Sequence, residues 1–128
     1  MFDEIANLHK LCFPNKPWSA SDFADLKKSG CEIIISQNSF IVYRHVADEA
    51  EIITIGVAPN SRRNGIGSAL LCVIEADIKK QGVNKIFLEV AANNIAGKKL
   101  YENNGYKVVG IRPKYYDGTD AILMQKDL

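Results

Sequence analysis

The chain carries no strong charge of either sign: 16 Lys and Arg stand against 15 Asp and Glu, a net charge of +1 over 128 residues. That balance provides no whole-molecule field for a polyanion, so neither direct nucleic acid binding nor attachment to an acidic membrane is implied. Long hydrophobic runs are missing too, and nothing approaches the roughly 20 apolar residues that span a bilayer. The opening Met1-Phe2-Asp3-Glu4 lacks the positive and apolar segments of a signal peptide, so the expected location is cytoplasmic. Cysteine is scarce: Cys12, Cys31 and Cys72 are odd in number and not at ligand spacing. They read as small buried hydrophobes in a reducing compartment, and no metal is expected. His9 and His45 fall in no triad or metal pattern and read as ordinary structural residues. No repeat, low-complexity tract or linker divides the chain. With 47% hydrophobic and 24% charged residues it reads as one globular domain over residues 1–128, large enough for a proper core.

What is present is an alternation of helix and strand signals. Residues 2–12 predict a short helix stopped by Pro14, and Ser19, with Asp22 three residues on, predicts the N-cap of a second helix running to about Lys28, ended by Gly30. Residues 31–36, 40–45 and 51–57 are β-rich, the first two joined by the turn-like Gln37-Asn38-Ser39. Ile66, Leu70, Val73 and Ile74 mark one face of a helix closed by Lys79-Lys80-Gln81-Gly82. Residues 85–90 read as a buried strand, Asn94 caps a helix to about Asn103 with Asn104-Gly105 as its exit, and residues 106–112 and 121–126 form strands around a polar loop. The run 51–57, the following helix and 85–90 make a βαβ unit, whose two strands are parallel. The fold class is therefore α/β (α+β): a mixed, mostly antiparallel sheet with one parallel pair and helices on both faces.

The junction between the third strand and its helix, Arg62-Arg63-Asn64-Gly65-Ile66-Gly67-Ser68, sets backbone amides beside cationic side chains at a helix N-terminus, which suits an anion. It is not a P-loop, because Gly67 is followed by Ser68 with no lysine to reach a phosphate. Nor is it a dinucleotide fingerprint: position 70 is Leu where a third glycine is needed, and residues 58–64 intervene between strand and first glycine, although Glu89 mimics that motif's ribose-binding acid. A third device, Arg/Gln-x-x-Gly-x-Gly/Ala after a strand ending in Val-x-Pro, fits Val57-Ala58-Pro59 and the glycines that follow. This stretch resembles the acetyl-CoA pyrophosphate loop of the GCN5-related N-acetyltransferase (GNAT) superfamily.

The resemblance extends over nearly the whole chain and towards one branch. Cys12-Phe13-Pro14, Pro17-Trp18-Ser19 and Phe23 look like the opening of the RimI-type ribosomal-protein-alanine N-acetyltransferases. Leu88-Glu89-Val90, Asn93-Asn94 and Leu100-Tyr101-Glu102-Asn103-Asn104-Gly105-Tyr106 resemble that branch's middle, and Arg112, Tyr115-Tyr116 and Asp120-Ala121 with Met124 its ending. The resemblance implies acetyl-CoA as cosubstrate, held at its diphosphate by Arg62, Arg63, Asn64, Gly65, Ile66, Gly67 and Ser68, and along its pantetheine arm by backbone of Ile55, Gly56 and Val57 and by Asn94. A glycine at 56 in a β-rich run also hints at a bulge or a close ligand approach. The resemblance further implies Glu89 as general base through water, or as a carboxylate that binds the acceptor's ammonium. Tyr101 stands where the family places the acid that protonates the departing thiolate and also touches the cofactor, and Trp18, Tyr115 and Tyr116 line the acceptor site.

The implied acceptor is a protein N-terminus, that of a small-subunit ribosomal protein, with a lysine, a small amine or non-catalytic acyl-CoA binding as alternatives. At pH 7 an α-amine with a pKa of about 7.8 costs about 1 kcal/mol to deprotonate, against about 4.6 kcal/mol for a lysine of about 10.4, so a single carboxylate with water serves the first better. A monomer or weak dimer is expected. Two departures border the acceptor side: the N-terminal strand common in the family is expected to be missing, and the loop from Tyr116 to Asp120 is shorter than usual.

Overall fold

The structure is a computed structural model that describes residues 2–116 and 118–128, and at 114–116 the backbone alone. The elements are α1 (Asp3–Cys12), α2 (Ala20–Lys28), β1 (Glu32–Ser36), β2 (Ser39–Val46), β3 (Glu49–Val57), α3 (Ile66–Lys80), β4 (Lys85–Ala91), α4 (Ile95–Asn103), β5 (Lys107–Tyr116) and β6 (Thr119–Asp127), with a 3-10 turn at Pro59–Ser61. Apart from that turn, the order is the one read from the sequence. The strands form one six-stranded sheet in the order β1-β2-β3-β4-β6-β5. β3 and β4 run parallel, as the βαβ reading requires, while β1–β2, β4–β6 and β5–β6 are antiparallel. No helix among the described residues is long and apolar enough to cross a membrane.

The chain forms two compact units, Met1–Arg44 with Ile53–Leu70, and His45–Ile52 with Leu71–Leu128. In the first, α2 starts as the sequence predicts: Ser19 Oγ accepts from the Asp22 amide at 3.1 Å, and Asp22 Oδ2 accepts from the Ser19 amide at 2.9 Å. This reciprocal box satisfies two orphan donors of the first turn and fixes where the helix begins. The β1–β2 hairpin closes between Ser36 and Ser39, with Gln37 and Asn38 both at positive φ, the backbone a tight two-residue turn demands. The core of this unit joins Ile5, Leu8, Phe23, Cys31, Phe40, Val42 and Ala58.

His9 sits in this core. Its ring stacks on Trp18 at 4.7 Å and meets Phe13, Phe23 and Phe40, while Nδ1 accepts from the Trp18 amide at 3.2 Å. Burial pushes its pKa down from 6.5 to about 4, opposed in part by the charge of Asp22. Below pH 6.5 the unfolded chain binds a proton that the folded chain refuses, so stability is complete above that pH and declines as pH falls toward 4. Chemical denaturation is expected to lose about 2 kcal/mol of stability between pH 7 and pH 5 from this group. His9→Phe should flatten that segment of the profile, and an unchanged slope in the variant would remove His9 as its source.

In α3 the expected Leu70 and Ile74 are buried, but the rest of the inward row differs from the expected one. Leu71, Ile74, Glu75 and Ile78 are buried, whereas Val73 is 63% exposed and Cys72 is exposed as well. The sequence reading favoured Val73 for its apolarity; the helix instead turns Glu75 inward, where two partners hold it. Tyr106 Oη donates to Glu75 Oε2 at 2.9 Å and Lys126 Nζ to Oε1 at 2.7 Å. Burial, and then the Glu75 charge, drive the Tyr106 phenol pKa far upward, so it remains a donor. Of the three cysteines only Cys31 is fully buried, Cys12 being half-buried.

β5 and β6 replace most of the expected polar loop. β5 runs past Arg112 to Tyr116 and β6 begins at Thr119, with Tyr116 opposite Thr119. Pro113 does not end the strand because it falls in a register irregularity between Arg112 and Tyr116, where a missing N–H breaks no ladder bond.

Candidate active site

The glycine junction belongs to the first unit. β3 delivers Ile55, Gly56 and Val57, and the 3-10 turn leads to Arg62. Gly56 is required by its own neighbours: a Cβ there would lie 2.7 Å from the Phe40 ring and 2.9 Å from Cys12 Sγ. Packing against Phe40 and Cys12 is thus by itself a reason for glycine at this strand position. Arg62 Nε donates to the Val57 carbonyl at 2.8 Å, and the same guanidinium lies at the Cys12 thiol and moderates the rise that burial imposes on its pKa. Arg62 therefore braces the loop against the end of β3.

Arg63 has φ +68° and Gly65 φ +74°. The left-handed region costs a non-glycine residue about 1 kcal/mol, so the loop holds Arg63 in a shape that local preference does not supply. A Cβ built on Gly65 meets nothing within 4 Å, which leaves open space beside that backbone. The first backbone bond of α3 runs from the Ala69 amide to the Gly65 carbonyl at 3.0 Å. The amides of Ile66 and Gly67 precede it, in the turn where a helix lacks internal acceptors and its dipole favours an anion. Asn64 spans the loop with Nδ2 at 3.3 Å from the Ser61 carbonyl. These features fit a diphosphate.

The second unit carries the titratable groups. The parallel register of β3 and β4 runs from Glu49↔Lys85 to Ile52↔Leu88, and β4 continues to Ala91. Along β4, Ile86, Leu88 and Val90 are buried while Lys85, Phe87, Glu89 and Ala91 are half-buried. Glu89 therefore does not interrupt a buried strand, as the apolar run suggested; it is in phase with the strand's more open face, one residue beyond the last parallel pair. Its side chain is 24% exposed, and Oε1 lies 3.0 Å from Nη2 of Arg112.

Asn94 caps α4, with Oδ1 accepting from the Gly97 amide at 2.9 Å. Gly97 must be glycine for this, since a Cβ would lie 2.7 Å from Asn94 Nδ2. Tyr101 is buried on α4, its ring edge-on to Tyr106 at 5.8 Å. Trp18 is half-buried in the first unit's aromatic cluster, where stacking on His9 accounts for its position. The side chains of Tyr115 and Tyr116 lie outside the described ones. Arg112 was given no role by the sequence, because its partner across the sheet is set by a strand irregularity that no spacing rule reveals.

The first unit thus carries a strand, an anion-shaped turn and the start of a helix, and the second carries a part-exposed carboxylate on β4. The chain belongs to the Acetyltransferase (GNAT) family, which it matches over residues 2–106. It is similar to the [ribosomal protein bS18]-alanine N-acetyltransferase of Escherichia coli K12, 37% identical over 110 residues that cover 82% of this chain and 74% of that one. The N-alpha-acetyltransferase RimI of Mycobacterium tuberculosis is 41% identical over 81 residues, covering 62% of this chain and 49% of its own. The crystal structure of the E. coli ribosomal-protein-S18-alanine N-acetyltransferase superposes with a TM-score of 0.85 at 32% identity, covering 97% of this chain and 85% of that one.

Proposed function

We propose that this chain, as a single catalytic domain over residues 1–128, acetylates the α-amino group of a protein N-terminus, the acceptor being the N-terminal alanine of a small-subunit ribosomal protein. The observation that carries the reading is Glu89, an ionisable side chain on the open face of β4 in a family that must deprotonate an ammonium. The acceptor is supported by the similarity to the bS18-alanine enzymes and by the lower cost of deprotonating an α-amine.

Acetyl-CoA supplies the activated acyl group. In the first unit the amides of Ile66 and Gly67, the backbone around Arg63–Ser68 and the Arg63 side chain bind the diphosphate, with Arg62 bracing the turn. The backbone of Ile55, Gly56 and Val57 orients the pantetheine arm, and Asn94 adds its amide side chain. In the second unit Glu89 accepts the proton that the acceptor ammonium loses, through water, and Tyr101 Oη donates a proton to the departing sulfur. Phenols and thiols are weak acids close enough in strength for such a transfer. Trp18, Tyr115 and Tyr116 border the acceptor. We read the enzyme as cytoplasmic, a monomer or weak dimer, acting without direct contact to nucleic acid or membrane.

Incubation with acetyl-CoA and two peptides tests the assignment. A peptide beginning with free alanine is expected to gain one acetyl group by mass spectrometry, and an N-terminally blocked peptide carrying lysine none. Modification of the blocked peptide alone would replace the α-amine by a lysine acceptor.

A further inference from the structure

β5 carries a one-residue irregularity that decides which side of the sheet Arg112 faces. Val108 is opposite Met124, yet Gly110 is opposite Leu123, so Val109 is the extra residue of a bulge. Without it Gly110 would fall opposite Ile122, and Arg112 would share the face of Met124, Leu88 and Val90, all buried. With it, Arg112 is opposite Ala121, which is opposite Ala91, and one row away Gly110, Leu123 and Glu89 lie side by side. A one-residue slip reverses every side chain beyond it, and such bulges re-aim side chains beside functional sites.

The path between the two charged groups is also cleared. Arg112 must reach across β6, about 9–10 Å in strand spacings, and the residue beneath it is Ala121, fully buried and too small to block the way. In Glu89's own row the β5 position is Gly110, where a Cβ would lie 3.2 Å from Leu123 Cδ1. The resulting ion pair, Arg112 Nη2 to Glu89 Oε1 at 3.0 Å, joins a half-exposed guanidinium to the less exposed carboxylate.

We propose that Arg112, aimed by the Val109 bulge, is a positioning residue for acyl transfer: it fixes the Glu89 carboxylate through Oε1 so that Oε2 is presented to the acceptor. This rests on the reading of Glu89 as the base. A charge-assisted hydrogen bond to one oxygen restricts the rotamer of a flexible side chain, and small misplacements of a reacting group are costly.

Steady-state kinetics with the alanine peptide test the proposal on Arg112→Ala, Arg112→Lys, Glu89→Gln and the double variant Glu89→Gln/Arg112→Ala. Arg112→Ala should lower kcat by about tenfold with the KM for acetyl-CoA unchanged, and Arg112→Lys should recover most of the loss. In the Glu89→Gln background the Arg112→Ala change should have no further effect, because the group it positions is gone. Should Arg112→Ala retain the parent kcat while Glu89→Gln is inactive, the positioning role fails and the base stands. An Arg112→Ala loss of equal size in the Glu89→Gln background would also overturn it. Full turnover by Glu89→Gln would instead overturn the base assignment itself.

Discussion

Glu89→Gln is expected to lower kcat by about a hundredfold or more, the scale on which a positioned general base contributes. The amide is isosteric with the carboxylate and still accepts from Arg112, so strand packing and the 3.0 Å contact have a near-equivalent in the variant. It cannot take a proton from an ammonium, however, and the acceptor then enters mainly as the small neutral fraction present in solution. That fraction grows with pH, so the variant's rate should climb towards alkaline pH more steeply than the parent's. Coenzyme A affinity, measured by calorimetry, should be the same in both, since the diphosphate is assigned to the loop of the first unit. Parent-like kcat in Glu89→Gln would transfer the base role elsewhere.

Lys126→Met is expected to destabilise the fold strongly. Glu75 is nearly buried, with its two oxygens held by Lys126 at 2.7 Å and by Tyr106 at 2.9 Å. Removing the ammonium leaves a carboxylate in the interior with a phenol as its described partner, and breaking such a pair costs about 3 kcal/mol. For a chain of this size that corresponds to a Tm lower by about 10 °C. Adding Glu75→Gln to Lys126→Met should restore much of the loss, because the amide has no charge to desolvate and its oxygen still accepts from Tyr106. If the single variant melts with the parent, the network adds nothing to stability.

Much of this was legible from residues alone. Ser19 with Asp22, the Gln37-Asn38 turn and the Asn94 cap are local chemistry, settled within a few residues, and the structure forms each as read. The glycine turn before α3 was readable because glycines at fixed offsets after a strand have a backbone reason, and Gly65 does take a positive φ. Long-range matters were not. Val73 was taken as core from helical spacing and apolarity, while Glu75 was turned inward by partners 31 and 51 residues away in the chain. At Gly56 the packing of Phe40 and Cys12, from two other elements, was not visible in the sequence. Arg112 was visible as a residue but not as a partner of Glu89, since the bulge at Val109 sets that register.

The same irregular strand has a bearing on how the protein behaves at high concentration. β5 is the outermost strand on its side of the sheet, and Val108, Val109 and Ile111 are each more than half exposed. A straight edge with that much apolar surface would template the strands of neighbouring molecules. The kink at Val109 and the absent N–H of Pro113 interrupt the ladder that an incoming chain would have to match. Straightening β5 would therefore endanger solubility as well as chemistry.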